Sequence, residues 1–155
     1  MLEFCKMKWS HNEKILREAF KNSISKLKNC KYEDLVKYTI KYILNEDIGI
    51  EEYDKFKFNA NEMFEFDNGD YQGTLMYIIP MDVYQPAPSD YIITYNYYGS
   101  CSGCDTLLRV QSETENNDTL MIDSYMDLCR HLVCRVIKPY FSLFQNEDVF
   151  KIAEE

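Results

Sequence analysis

Residues 63–80 carry the sequence MFEFDNGDYQGTLMYIIP. Aromatic and polar side chains alternate over residues 63–66, as in a half-buried strand, and the mostly apolar residues 73–80 have the composition of a second strand. Residues 67–70 lie between them and are typical of a hairpin turn, because Asn-Gly tolerates positive φ. This stretch therefore predicts two antiparallel strands joined by a tight turn.

Two neighbouring segments extend the predicted sheet. Residues 55–58, KFKF, show the same alternation, and residues 91–98, YIITYNYY, are rich in β-branched and aromatic residues that favour strands. The connector at 85–89 contains two prolines, which remove backbone donors and separate one strand from the next. We expect a meander of three or four antiparallel strands.

Helices are predicted before the sheet. A first helix is expected over residues 10–30, where Ser10 and Glu13 form a capping box, and a second over residues 32–45. The two should form an antiparallel helical hairpin that turns at residues 29–31. Apolar side chains recur at helical spacing in both: Leu16, Phe20, Ile24 and Leu27 in the first, and Val36, Ile40, Ile43 and Leu44 in the second.

A long C-terminal helix is expected from Asn117 or Asp118 to Ile137, with Pro139 as its stop, and a last short helix at Asn146. These segments together predict an α+β fold, with the helical hairpin and the long helix packed on the meander. The apolar face of the long helix consists of Met121, Tyr125, Leu128, Cys129, Leu132, Val133 and Val136.

The size and charge of the chain limit its organisation and its partners. With 155 residues, of which 46% are hydrophobic and 15% aromatic, residues 1–155 are expected to fold as a single domain. The net charge is −9, and a protein of this sign gains nothing from neutralising phosphates, so we expect no direct nucleic-acid partner. No apolar run reaches the roughly 18 residues that span a bilayer. We therefore predict a cytoplasmic protein with no membrane partner, whose six cysteines are free thiols or metal ligands.

The most specific signal is the turn at residues 98–105, YGSCSGCD, directly after a predicted strand. Its glycines and serines permit a tight turn, which points backbone N–H groups inward and brings Cys101 and Cys104 close together. Asp105 then either caps a short helix or ends a strand.

Together with the segment DYQG at residues 70–73, this turn resembles a group of small, uncharacterised phage and bacterial proteins that carry both motifs. The resemblance covers about 35 residues, from Asp70 to Leu107. It implies a shared core hairpin and a shared site, and no catalytic role follows from it.

Thioredoxin-like redox chemistry is disfavoured for the cysteine pair, because that CxxC motif normally opens a helix between parallel strands and the predicted meander is antiparallel. Three other interpretations remain open. In the first, the sulfurs only pack beneath a tight turn. In the second, zinc is bound at the spacing C-x2-C-x26-H-x2-C, that is, by Cys101, Cys104, His131 and Cys134, which supply the thiolate and imidazole ligands of a tetrahedral site. In the third, Cys104 is a nucleophile with His131 as its base.

Charge is segregated along the chain, with net values of +5 for residues 1–43, −14 for residues 44–128 and 0 for residues 129–155. One interpretation is a solvated acidic face, partly neutralised by the first helix. The other is a docking surface for a basic protein, in which carboxylates steer the encounter and aromatic rings anchor it. Its predicted residues are Glu51, Glu52, Asp54, Glu62, Glu65, Asp67, Asp70 and Tyr71.

The function predicted from these observations is a non-enzymatic, acidic protein-binding module with no cofactor. For a small phage-type protein, the partner we expect is the basic surface of a host defence or nucleic-acid-handling protein, which the module would inhibit. The alternative is a zinc-binding or thiol-dependent protein that uses the turn of Cys101 and Cys104 with His131 and Cys134.

Overall fold

The computed structural model describes residues 1–138, which form helices packed on one face of a three-stranded antiparallel sheet. This architecture confirms the predicted α+β class. The predicted stop at Pro139 and the helix predicted at Asn146 lie outside the described residues. The elements are α1 (Leu2–Lys21), α2 (Ile24–Leu27), α3 (Tyr32–Thr39), a π-helical turn (Ile40–Leu44), α4 (Glu51–Asp54), a 3₁₀ turn (Ala60–Glu62), β1 (Phe64–Asp67), β2 (Gly73–Pro80), a 3₁₀ turn (Pro88–Asp90), β3 (Tyr91–Tyr98), α5 (Thr106–Glu113) and α6 (Asp118–Cys134).

Helix α1 begins at Leu2, well before the predicted start at Ser10. Phe4 continues the buried face towards the N terminus and packs edge-to-face on Phe56, with ring centroids 5.8 Å apart, which stabilises the additional turns. Ser10 therefore lies inside the helix. Its hydroxyl donates to the carbonyl of Met7 at 3.1 Å, so the predicted capping box is wrong.

The predicted helical hairpin is confirmed, with two interruptions. Helix α1 ends at Lys21 and the chain re-enters a helix as α2, while α3 widens into the π-helical turn after Thr39. The antiparallel arrangement is shown by Phe20, whose ring lies 5.1 Å from that of Tyr38, and by Asn12, whose amide donates to the carbonyl of Ile43. The side chains of both predicted stripes are buried, except Ile24, which is partly exposed.

The strand predicted at residues 55–58 is wrong. Only Phe58 forms an isolated bridge, with Met81. The side chain of Asn45 accepts from the N–H of Phe58 at 2.8 Å and donates to its carbonyl at 2.8 Å. The N–H groups of Lys55 and Phe56 donate to the carbonyls of Glu51 and Tyr53, so the last turn of α4 takes up the start of the predicted strand and the sheet has three strands.

Strand β2 lies at the centre of the sheet, between β1 and β3. In its register with β3, Gly73 lies opposite Tyr98 and Pro80 opposite Tyr91. We call the Gly73 and Tyr98 end the turn end of the sheet. Alternate residues of β2 and β3 face the helices and are buried there: Tyr77, Ile79, Ile92, Thr94 and Asn96.

Helix α6 begins after Asn117, whose side chain accepts a backbone N–H of the first turn at 3.0 Å. It ends at Cys134 rather than at the predicted Ile137, because Ile137 exchanges two backbone hydrogen bonds of 2.9 Å with Ile93 of β3. All seven residues of its predicted apolar face are buried. Neither α6 nor any other helix within residues 1–138 is long and apolar enough to cross a bilayer.

Candidate binding surface and cysteine turn

The edge strand β1 presents all four of its side chains to solvent. Phe64 is 64% exposed and Phe66 is 57% exposed, although large aromatic side chains are usually buried. Because side chains alternate along a strand, both rings lie on the outer face of the sheet, whereas Glu65 and Asp67 lie on the side of the helices. One exposed edge therefore carries two aromatic rings and two carboxylates.

Hydrogen bonds to Asp67 hold the turn that follows β1. Its carboxylate accepts from the N–H of Gly69 at 3.0 Å and from the Tyr98 hydroxyl at 2.7 Å. The bond from Tyr98 lowers the pKa of the Asp67 carboxyl, and the same carboxylate raises the pKa of Tyr98 to about 12. Asp67 thus remains exposed while it ties the turn to the end of β3.

Glycine occupies position 69 because of crowding. The sequence predicts a positive φ as the reason for this glycine, and that prediction is wrong: among the described residues the glycine with a positive φ is Gly49 and not Gly69. A Cβ at Gly69 would lie 2.0 Å from the carbonyl oxygen of Gln72. This close approach places Asp70 and Tyr71 at the exposed tip of the turn, where Tyr71 is 82% exposed.

The cysteine turn, residues 99–105, brings two exposed thiols into contact. The sulfur atoms of Cys101 and Cys104 are 3.0 Å apart, as the sequence predicts. The N–H groups of Cys104 and Asp105 donate to the carbonyl of Cys101 at 3.0 and 2.9 Å, which fixes the turn. The contact with the Cys101 thiol and the N–H of Cys101, which donates to Cys104 Sγ at 3.2 Å, lower the pKa of Cys104.

The buried Asp105 anchors this turn to the core. One carboxylate oxygen accepts from the N–H of Gly99 at 3.0 Å. The other accepts from the Tyr32 hydroxyl at 2.9 Å and from the N–H of Leu108 at 3.0 Å, so Asp105 caps α5. The Tyr32 hydroxyl in turn accepts from the N–H of Leu107 at 3.1 Å, and burial raises the pKa of Tyr32. Of the two roles predicted for Asp105, the helix cap is correct.

The two segments that carry the sequence resemblance lie side by side at the turn end of the sheet. Gly73 is paired with Tyr98, and the Tyr98 hydroxyl donates both to Asp67 and to the carbonyl of Gly69, the latter at 2.8 Å. Residues 70–73 and the cysteine turn therefore belong to one part of the surface.

This part of the surface is rich in carboxylates. The sequence contains no Lys or Arg between Lys57 and Arg109. Among residues 1–138, the carboxylates around β1 form no ion pair. We call the following residues the hairpin surface: Glu62, Phe64, Glu65, Phe66, Asp67, Asp70 and Tyr71.

Two other predicted partner-binding residues lie far from the hairpin surface. Glu51 and Glu52 are exposed on α4. Glu52 lines a pocket together with Met81 and Tyr91, which lie at the opposite end of the sheet from the turn end. The predicted acidic residues therefore do not form one continuous surface.

Asp54 has an internal role that the sequence prediction missed. Its carboxylate accepts from the Lys8 ammonium at 2.8 Å and from the backbone N–H groups of residues 48–50 at 2.8 to 3.1 Å. Lys8 is fully buried. Because these bonds occupy the carboxylate, we leave Asp54 out of the hairpin surface.

The four predicted zinc ligands do not come together. His131 and Cys134 are exposed at the end of α6. Cys134 lies near Cys5 of α1: burial raises the pKa of the Cys5 thiol to about 12, and Cys134 adds a smaller contribution in the same direction. Across residues 1–138, no group of three or more His, Cys, Asp or Glu side chains could hold a metal ion. The structure therefore pairs Cys101 with Cys104 and joins neither His131 nor Cys134 to them.

No family model matches this chain, and no curated protein or solved structure matches it either.

Of two features of the site, the shared face of Phe64 and Phe66 can be predicted from the sequence, whereas the contact of Tyr32 with Asp105 cannot. Phe64 and Phe66 are two positions apart in a predicted strand, and this spacing alone indicates that both rings lie on the same face. The contact of Tyr32 with Asp105 joins residues 73 positions apart. No local pattern predicts such a pair, because local periodicity carries no information on long-range contacts.

Proposed function

We propose that this protein is a non-enzymatic module that binds the basic surface of another protein through the hairpin surface. The observation that supports this is the exposure of Phe64 and Phe66 on an edge strand. Exposed edges invite association, and proteins usually blunt them by covering them or by placing lysine on them. Here the edge carries rings and carboxylates.

The chemistry of the surface defines the partner. Carboxylates accelerate the encounter with a basic protein, and this effect weakens as salt screens the charges. Aromatic rings that become buried on binding contribute most of the affinity, because a few anchor residues dominate typical interfaces. The partner should therefore present Lys or Arg around an apolar patch. That it is a host defence or nucleic-acid-handling protein, which this module inhibits, stays a prediction.

Fluorescence anisotropy with a labelled, arginine-rich peptide that contains leucine tests this proposal. We expect the Phe64→Ser/Phe66→Ser variant to bind about tenfold more weakly than the wild type, because it loses the anchors. We expect Glu62→Gln/Glu65→Gln to weaken binding by about tenfold at low salt and less at high salt.

Matched variants separate a specific surface from a general effect of charge. Glu13→Gln/Glu113→Gln removes two exposed carboxylates from α1 and α5, and Ile15→Ser/Leu120→Ser removes two exposed apolar side chains outside the sheet. Both controls should bind the peptide as the wild type does. Equal losses in the controls and in the hairpin variants would contradict the proposal, as would salt-insensitive binding.

A further inference from the structure

We propose that the cysteine turn is a thiol–disulfide exchange site for small disulfides without negative charge, in which Cys104 attacks and Cys101 resolves. This activity is independent of partner binding by the hairpin surface. It also differs from the interpretation in which His131 acts as the base for Cys104, since it needs no contribution from His131.

The pairing of two accessible sulfurs is the first support. Cys101 and Cys104 are both exposed, and their sulfur atoms already touch at 3.0 Å. Three of the other cysteines, Cys5, Cys30 and Cys129, are buried. A disulfide between residues 101 and 104 therefore needs only small side-chain rotations, while the buried thiols are shielded from any reagent in solution.

The surroundings of Cys104 single it out as the attacking sulfur. The backbone N–H of Cys101 points at Cys104 Sγ at 3.2 Å, and the Ser100 hydroxyl lies 3.9 Å from it. Hydrogen-bond donors stabilise a thiolate, which is the reactive form of the side chain, and the pKa of Cys104 is lowered accordingly.

The turn is shaped around this sulfur. A Cβ at Gly99 would lie 2.6 Å from Cys104 Sγ, so only glycine lets the sulfur rest against the backbone there. Asp105 holds the N–H of Gly99 and the hydroxyl of Tyr32, which fixes both ends of the turn to buried groups. A rigid base beneath two exposed thiols keeps them together without covering them.

The charge of the neighbouring turn selects the substrate. Asp67 and Asp70 lie at the same end of the sheet as the cysteine turn, and no Lys or Arg occurs in either turn. Negative charges repel anionic disulfides such as oxidised glutathione, but they leave an uncharged disulfide unaffected. The substrate class is therefore a dialkyl disulfide that carries no negative charge.

The exchange proceeds in two balanced steps. The Cys104 thiolate attacks one sulfur of the substrate, its S–S bond breaks, and one alkyl thiolate leaves. The Cys101 thiol then loses its proton to water and attacks Cys104 Sγ, which forms the Cys101–Cys104 disulfide and releases the second alkyl thiolate. The protein gives up two electrons, and the substrate disulfide is reduced to two thiols.

Mass spectrometry of the full chain treated with 2-hydroxyethyl disulfide tests the proposal. The wild type should lose two hydrogen atoms, and peptide mapping should locate the new bond between residues 101 and 104. Cys101→Ser should stop at a mixed disulfide on Cys104. Cys104→Ser should react at the remaining turn cysteine about tenfold more slowly than Cys101→Ser does, because the better stabilised thiolate is gone.

The controls make a negative result decisive. Cys134→Ser removes the other exposed thiol of the described chain and should form the same disulfide at the wild-type rate. Mapping the bond in the wild type needs no variant, so a folding defect in either serine variant leaves the test intact. Modification of Cys134 at a rate equal to that of Cys104 would overturn the proposal. So would one zinc ion per purified chain that is lost on Cys101→Ser.

Discussion

At the scale of single residues, Lys8 determines the role of Asp54. Its side chain is fully buried on α1, and its ammonium donates to the carboxylate of Asp54 at 2.8 Å and to the carbonyl of Glu46 at 2.6 Å. A buried ammonium without such acceptors would be strongly unfavourable. The pair therefore ties the loop before α4 to the first helix, and the carboxylate of Asp54 acts inside the molecule.

This pair predicts a contribution to acid sensitivity. The hydrogen bond from Lys8, supported by the N–H groups of Ile48 and Gly49, lowers the pKa of Asp54 to about 2. An Asp in the unfolded chain has a pKa of about 3.9. The stabilisation is therefore complete above about pH 4 and is lost as the pH falls towards about 2, because the unfolded chain takes up the proton first.

Urea unfolding between these pH values measures the effect. The free energy of unfolding of Asp54→Asn should depend less steeply on pH in this window than that of the wild type. Glu52→Gln, which removes an exposed carboxylate of the same helix, is the control and should keep the wild-type slope. An unchanged slope in Asp54→Asn would show that the pair does not stabilise the folded state.

At the scale of elements, a glycine-to-alanine substitution should affect the stability of the protein differently in the hairpin turn after β1 and in the cysteine turn. Gly69→Ala should destabilise the protein by about 1–3 kcal/mol, because the new methyl group meets the carbonyl of Gln72 at 2.0 Å and the turn must shift. Gly103→Ala should change the stability by less than about 0.5 kcal/mol, since the nearest atom, Cys101 Sγ, would be 3.8 Å away.

Thermal unfolding of the two variants beside the wild type checks this prediction. Equal midpoints for Gly69→Ala and the wild type would mean that the turn adapts without cost. Asn-Gly correctly predicted a turn at this place. The close approach of the chain to itself, and not the sign of φ, explains the glycine.

At the scale of the whole molecule, burial separates phenylalanines that look alike in the sequence. Phe20 is fully buried between Tyr38 and Tyr125, so Phe20→Ala should lower the free energy of unfolding by about 3–5 kcal/mol. Phe66→Ala should change it by less than about 0.5 kcal/mol, because most of its ring is already in water.

Denaturant titration of both variants measures these changes. A large loss of stability in Phe66→Ala would show that the ring is buried in solution, and it would also remove the main support for the hairpin surface. Preserved stability in Phe66→Ala would leave that residue free for a role in binding.

The strands and the first helix show which elements the local sequence predicts correctly and which it does not. Strands β2 and β3 were predicted over the residues that form them, because long runs of β-branched and aromatic residues end at turns. Residues 55–58 share the alternation but form no strand, since the N–H groups of Lys55 and Phe56 complete the last turn of α4. The start of α1 was missed because Phe4 stabilises it through a contact with Phe56 of a distant segment.

The amino-acid order by itself determined the α+β class, the hairpin and the meeting of Cys101 with Cys104, because each depends on periodicity or on a few neighbouring residues. Tertiary structure alone decided which carboxylates are engaged internally and which face solvent, as Asp54 and Glu65 show. It also placed the two turns together and kept His131 away from the thiols. The physical reason is that burial and charge compensation depend on residues far apart in the chain, and local periodicity does not encode them.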